Sequence, residues 1–492
     1  MTSHHQKHLF LLDADSIQSY IFNTNRLKTI IGASWLIDHI NAASKGDTHR
    51  LIREADNELK KNKNKETVEF IYSAGGNTKL IFPSAESAQV FDQKIKKAYN
   101  RHGISVTTHI HPIKGDANDI NRTITPAQKI LAQKKYNKDR ALNLPASPFF
   151  KLCELCGKEY AENIRKDGDD EIVICTVCDQ KFSKAEERLR LFPDYEFFTN
   201  IEKMKTVKNM IAVVVMDGNN MSAKIRKLGT VDELKQFAQK TEDIIREAFD
   251  SCLTEVLPDE SCADKKNRKF NTIRPLIIGG DDICLIIAAV YALDFAQHFI
   301  KKVETLSKHS PDLFGKKGIT FSAGILFIKK NYPFNFAHGI AESLLRSAKR
   351  FSKEHGECSA LDFHILLSSS GDDIEKTRER EYKYDDHVLT QKPFHVGDME
   401  NRLEAAENLS TMLARNKVKY LRQALRRSRE ASMVEMLKLA LRMGEKTRGD
   451  YIKFLNDYGW QKESDKLWHT GILDLVEITD IVGKKEKDNG TS

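Results

Sequence analysis

Pro275-Leu276-Ile277-Ile278-Gly279-Gly280-Asp281-Asp282-Ile283-Cys284-Leu285-Ile286-Ile287 is the stretch from which the fold can be read. Two apolar runs of strand length meet at Gly-Gly-Asp-Asp, the pattern of a hairpin between two buried strands. Neighbouring carboxylates between Ile and Leu runs are costly to bury unless a cation neutralises them. At a turn they reach the sheet rim, where their oxygens suit Mg2+ or Mn2+, ions that take carboxylate, water and phosphate. Gly279 and Gly280 let the backbone bend sharply and approach a phosphate. Taken alone, the four residues also fit a solvent-facing turn.

Working outward, Ile211–Met216 is another apolar run, and it ends in Asp217. If that strand neighbours the hairpin, Asp217, Asp281 and Asp282 converge. Three carboxylates meet the requirement of a two-metal site that aligns an attacking hydroxyl with an α-phosphate. Helical periodicity follows over Val231–Leu257, Leu293–Ser307 and Phe336–Ser352, with a strand at Ile319–Ile328.

The same order occurs once before. A strand at His8–Leu12 ends in Asp13, and strands at Val68–Tyr72 and Lys79–Phe82 flank Gly75-Gly76-Asn77. A helix at Ala85–Asn100 and a strand at Ile104–Ile110 close the unit, and the charge run Lys60–Lys65 reads as a solvated loop. Asp13 to Gly75 and Asp217 to Gly279 each span 62 positions. Both copies read β-α-β-β-α-β, the ferredoxin-like order. By this spacing Asn77 and Thr78 take the places of Asp281 and Asp282. One carboxylate cannot assemble the metal site, so the first copy is expected to be catalytically dead. Nucleotide binding beside Gly75 and Gly76 and a purely structural role both stay open.

Between the copies, Cys153-x-x-Cys156 and Cys175-x-x-Cys178 lie 18 residues apart. Four thiolates at this spacing suit a closed, structural Zn2+ site. Cys252, Cys262, Cys284 and Cys358 have no such spacing. Beyond about Pro393 strands largely disappear and apolar residues take helical spacing, which predicts a separate bundle. Within it Arg415–Arg429 holds seven basic residues and no acid. That run suits RNA phosphates, an acidic partner, or a solvated helix face.

Composition sets the outer bounds. A chain of 492 residues calls for several domains of about 100–200 residues each. With 40% apolar and 30% charged residues it reads as an ordinary globular protein. The net charge of +8 permits an anionic partner without demanding one. No apolar window approaches a membrane span of ~18 residues, and the N-terminal residues form no signal peptide. A cytoplasmic location without membrane contact is therefore expected.

Asp217-Gly218-Asn219-Asn220-Met221 after a strand, the Gly-Gly-Asp-Asp hairpin, Ser322-Ala323-Gly324-Ile325, and Leu344-Leu345 with Ala348-Lys349 together resemble a nucleotidyl cyclase or polymerase palm. More specifically, the chain resembles the large, polymerase-like subunit of type III CRISPR effector complexes. Asp15–Phe22 with Leu27-Lys28 and Gly32-Ala33-Ser34, and Leu389–Phe394, are similar to that family's opening palm and its entry to the helical domain. The resemblance implies an α+β chain of two ferredoxin-like palms, a zinc-binding insertion and a C-terminal helical bundle. The expected divisions are 1–145, 146–200, 201–385 and 386–483, with a disordered tail at 484–492.

It further implies an enzyme that joins ATP 3′-to-5′ into cyclic or short linear oligoadenylate messengers for antiviral defence. Asp217, Asp281 and Asp282 would hold Mg2+ or Mn2+, with the Gly218 carbonyl as a further ligand. The turn Gly218-Asn219-Asn220-Met221 and Gly279-Gly280 would face the triphosphate, and Lys349 would neutralise phosphate charge. RNA, CRISPR-type effector subunits and a homodimer partner stay open. So do a synthase that uses another base or joins AMP to another metabolite, and a nucleotide- or RNA-binding scaffold without turnover. The chain has no His-Asp dipeptide, so it is expected to be a shortened form without the HD nuclease domain that many relatives carry.

Overall fold

The computed structural model describes residues 6–482 apart from 43–45, 62–66, 114–119, 139–148, 168–169, 258–267, 367–372, 385 and 465–466. Most of the expected Lys60–Lys65 loop and the whole 484–492 tail lie outside the described residues.

In the N-terminal unit, β1 (His8–Ala14), β2 (Glu69–Ala74), β3 (Asn77–Phe82) and β4 (Val106–Pro112) form an antiparallel sheet in the order β2-β3-β1-β4. The second unit contributes β5 (Met210–Gly218), β6 (Ile273–Gly279), β7 (Asp282–Ala288) and β8 (Phe321–Lys329). Their order is β6-β7-β5-β8, the same ferredoxin-like arrangement. Beyond β8 the sheet continues through β9 (Ala360–Ile365), parallel to β8, and β10 (Phe394–His395). That extension gives the second palm a six-stranded sheet. β5 is central and covered on both faces, which is why it is an unbroken apolar run instead of an alternating one.

The helices are α1 (Leu27–Asn41), α2 (Asp47–Lys61), α3 (Ala85–Arg101), α4 (Asn121–Tyr136), α5 (Val231–Glu255), α6 (Ala292–Lys308) and α7 (Phe334–Glu354). The bundle follows as α8 (Met399–Met412), α9 (Arg415–Arg427), α10 (Arg429–Leu441), α11 (Glu445–Tyr458) and α12 (Ile472–Val482). Strand periodicity sorts the core into two layers, each continuous through both palms. Ala212, Val214 and Met216 share one layer with α5, α6 and the first palm's Leu9 and Leu11. Ile211, Val213 and Val215 share the other with α7 and the first palm's Phe10 and Leu12. The palms are thus packed reciprocally: α1 lies on β6, and α5 lies on β2. Their hairpin tips meet, so closely that a Cβ added at Gly279 would stand 3.6 Å from the Gly75 Cα.

The structure corrects the sequence reading in three places. The long basic segment ends at Arg427, because the Ser428 side chain caps the next helix by accepting from the Ala431 N–H. The first palm contains α2 and α4, which the pattern reading passed over. Its hairpin is also offset by one residue from the expected match. Asp217 pairs with Asp282, and Asp13 pairs with Asn77, so Gly76 stands where Asp281 does and Asn77 where Asp282 does. A bulge at Ile71 in β2 and one at Leu276 in β6 agree with that alignment. The turns explain the change: Gly75 and Gly76 both have φ > 0, whereas in the second palm's hairpin turn only Gly280 does. A side chain at Gly76 would also strike Ile17, 2.0 Å from its Cδ1. The first turn therefore admits no aspartate where the second holds Asp281.

Candidate active site

Three elements deliver the carboxylates to one rim of the second palm. Asp217 is near the end of β5, paired across to Asp282 on β7 and to Ser322 on β8. Asp281 sits in the turn, and its side chain lies against Gly218. A Cβ at Gly218 would be 2.9 Å from the Asp281 Cβ and 3.1 Å from its Oδ2. Gly218 is thus the space that the Asp281 carboxylate occupies.

Lys349 reaches the site from α7, and its Nζ donates a short hydrogen bond to Asp217 Oδ2. Gly324 on β8 makes that reach possible. A Cβ there would stand 2.3 Å from the Ala341 carbonyl oxygen and from the Leu345 nitrogen, so the helix is seated directly on the strand.

Burial together with mutual repulsion shifts the acids. Asp281 is pushed up to about 7, first by burial and then by the charges of Asp217 and Asp282. Asp282 is pushed up to about 6 by burial, Asp217 and Glu342, against the pull of Lys349. Carboxylates that resist ionisation together in this way form a donor set that a divalent cation fits. A groove of about 570 Å3 opens beside them, bordered by Gly218–Ser222, Lys349, Ser352 and Lys353.

The predicted phosphate turn divides in two. Asn219 faces inward: its N–H donates to the Thr320 carbonyl at 2.8 Å, and its Nδ2 lies 3.2 Å from the Cys358 carbonyl oxygen. Its Oδ1 accepts from Ser322 Oγ at 2.8 Å. Asn219 therefore braces the turn, while Asn220, left-handed at φ 54, opens the short helix Met221–Ile225 beside the groove. Met221 itself is buried. Gly279 and Gly75 both border the cavity between the palms.

Two features were missed in the sequence. Glu342 stands on α7 with a raised pKa, burial being the largest cause. Its position seven residues before Lys349, two helical turns, was the available signal. In the first palm, Asp13 keeps a lysine partner: Lys135 Nζ on α4 is 2.7 Å from Asp13 Oδ2. This pair mirrors Lys349 and Asp217.

The four cysteines do come together, their Sγ atoms within 4.8 Å of one another. Cys175 caps the helix Thr176–Ser183, which carries Cys178, and Gly157 at φ 64 turns the chain after Cys156. Four sulfurs with no other donor suit structural Zn2+. No helix among the described residues is long and apolar enough to cross a membrane.

Two duplicated ferredoxin-like sheets, one with an acid-bearing hairpin, define a double-palm protein. Residues 210–356 match the sequence model of the Cas10/Cmr2 second palm domain, and the chain is Cas10-like. Among solved structures, a Csm1-Csm4 cassette in complex with cA3 is similar in fold. Its TM-score is 0.54 at 11% identity, covering 98% of this chain and 70% of that one. Csm1 of T.onnurineus gives a TM-score of 0.52 at 13% identity, covering 92% and 64%. A Csm1-Csm4 cassette in complex with AMPPNP gives 0.51 at 12% identity, covering 90% and 65%. The chain spans about two thirds of the length of these structures. No curated protein matches it.

Proposed function

We propose that the protein is a nucleotidyltransferase that joins ATP into cyclic or short linear oligoadenylates as a subunit of a type III CRISPR-type system. The observation that carries this reading is the convergence of Asp217, Asp281 and Asp282 with Lys349 beside a groove and an interpalm cavity. In each round the 3′-hydroxyl oxygen of one nucleotide forms a bond to the α-phosphorus of the next. The bond from that phosphorus to the bridging oxygen of pyrophosphate breaks, and the hydroxyl proton passes to a carboxylate or to water.

Asp217, Asp281 and Asp282 would hold Mg2+ or Mn2+, with Zn2+ confined to the four cysteines. The divalent cations would offset charge on the α-phosphate and lower the pKa of the hydroxyl. Lys349 stabilises phosphate negative charge. Likeness to cassettes solved with cA3 and AMPPNP supports nucleotides and effector subunits as partners. The exposed bases of α9, including Arg415, Lys419 and Arg427, are the surface proposed for RNA or an acidic subunit.

The test is mass spectrometry of products from all four NTPs with Mg2+ or Mn2+, with and without RNA, beside an Asp281→Asn/Asp282→Asn variant. An oligoadenylate absent from the variant is expected. A product of another base, or AMP joined to another metabolite, would replace the oligoadenylate assignment. Nucleotide binding without product under every condition would favour a scaffold.

A further inference from the structure

The cavity between the palms holds an acidic side chain outside the set of three aspartates. The cavity lies between α1 and β6, offers about 120 Å3 of accessible space, and is bordered at its catalytic end by Gly75, Gly279 and Asp282. Glu342 stands in the same wall as Asp282, on α7 two turns before Lys349.

Its partners come from both palms. Gln18 of the first palm donates from Nε2 to Glu342 Oε1 at 3.1 Å. His338 Nε2 lies 3.7 Å from the same oxygen, and its ring is held by stacking on Phe22. Among the described residues no lysine or arginine forms an ion pair with Glu342. The Glu342 side chain is only 20% exposed. Arg346 and Lys349 act on the carboxylate only from beyond ion-pair distance, and a largely buried acid so placed, facing a cavity, is complementary to a ligand hydrogen-bond donor.

The location narrows the donor. Asp282 belongs to the set that would organise the 3′-hydroxyl, so a group beside it in the cavity meets the ribose before it meets the base. A hydroxyl both donates and accepts, and the Glu342–Gln18 pair offers one acceptor beside one donor.

We propose that Glu342 and Gln18 read the 2′-hydroxyl of the nucleotide in the interpalm cavity. The carboxylate accepts its proton, and the amide donates to its oxygen. The pair makes the site selective for ribonucleotides and holds the neighbouring 3′-hydroxyl toward the catalytic acids. This inference rests on the nucleotidyltransferase reading and adds the sugar class to it.

The experiment compares ATP with 2′-deoxy-ATP on the full chain. Turnover is read with Mg2+ or Mn2+, and equilibrium binding is read with Ca2+ so that binding is seen without turnover. Wild type is expected to favour ATP by on the order of 10²-fold, because a site built for a hydroxyl leaves buried polar groups unpaired with the deoxy analogue. Glu342→Ala is expected to bring the two nucleotides within a few-fold of each other, with Gln18→Ala intermediate. Glu342→Gln, which keeps an acceptor oxygen and the same shape, should retain part of the preference if the alanine variant folds poorly. Equal losses for both nucleotides would overturn the proposal and leave Glu342 a structural acid. Lost discrimination against purine riboside triphosphate, with the deoxy ratio unchanged, would overturn it in favour of base reading. Ribose selectivity in binding without any product would count against the synthase reading alone.

Discussion

At the site, Gly218 matters more for the space it leaves than for its flexibility. The methyl of a Gly218→Ala variant would press on Asp281, with contacts of 2.9 and 3.1 Å to its Cβ and Oδ2. Moving a catalytic group by about 1 Å can cost on the order of 10²-fold in rate. Turnover is expected to fall by about that factor, with some loss of melting temperature because the methyl also stands 2.8 Å from the buried Met221 Cγ; equal activity would mean that Asp281 can shift freely. The acids also set a pH dependence. Asp281 at about 7 and Asp282 at about 6 are raised above their unfolded range. In the metal-free protein their contribution to stability is therefore present at about pH 4 and lost as pH rises toward 7. Cations compete with those protons, so Mn2+ should raise the melting temperature more at pH 8 than at pH 6. Asp281→Asn is expected to flatten that difference, which scanning calorimetry with and without Mn2+ would show. The three aspartates were legible because apolar strands announce where carboxylates emerge, whereas Lys349, on a helix, entered only through the resemblance. Glu342 was not, because a lone acid on an amphipathic helix resembles any solvated position until Gln18 is seen across the palm boundary.

Among the elements, the joint between the second palm and the helical bundle shows what a motif can conceal. Leu389–Phe394 stood out in the sequence only by resemblance, yet its Lys392 carries an almost fully enclosed charge at this joint. The Lys392 side chain is 1% exposed, 2.7 Å from Glu477 and 3.6 Å from Asp474, two acids of α12. Thr390 Oγ1 and the Gln391 N–H also donate to Asp474, at 2.7 and 2.8 Å, and Tyr382 Oη donates to Glu477 at 2.7 Å. Removing one partner from such a buried set strands the others, at a cost of about 3–5 kcal/mol. Lys392→Met should lose about that much in urea unfolding. Lys301→Met, which breaks an exposed pair with Glu400 at 2.8 Å, should lose less than about 1 kcal/mol. Similar losses for the two would mean that the joint is wet. Helical periodicity revealed the bundle but not this lock, because pattern reading treats Lys, Asp and Glu as surface residues. It also ran two helices together at Ser428, where a serine cap separates them without a proline or glycine to mark the break.

Across the molecule, the cysteine knuckle is tied to the palm cleft through one continuous segment of the first palm. A Cβ on Gly32 would stand 1.6 Å from the Lys181 carbonyl oxygen, so α1 is seated backbone-to-backbone on the knuckle helix. Lys181, fully buried, donates from Nζ to the Tyr20 carbonyl at 2.6 Å. Arg26 and Lys28 both reach Asp167 at the end of the knuckle's hairpin, each at 3.2 Å. This segment also supplies Gln18 and Trp35 to the interpalm cavity. Equal spacing exposed the duplication from sequence, whereas the reciprocal packing of the palms needed three dimensions, since it depends on which strand each helix covers. With Zn2+ proposed for the four cysteines, the consequence is a long-range effect of its removal. The small knuckle core consists mostly of the cysteines with Ile172 and Ile174, too little apolar surface to hold its shape without Zn2+. Chelation, or Cys156→Ser, should therefore raise amide hydrogen exchange first in the knuckle and then along Tyr20–Ile37. The strands β5 to β9, whose core is separate from the knuckle's, should stay protected. Exchange confined to the knuckle would show that the palm keeps its cleft unaided. Loss of protection throughout β5–β9 would mean that Zn2+ supports the whole fold, against the local coupling argued from Gly32 and Lys181.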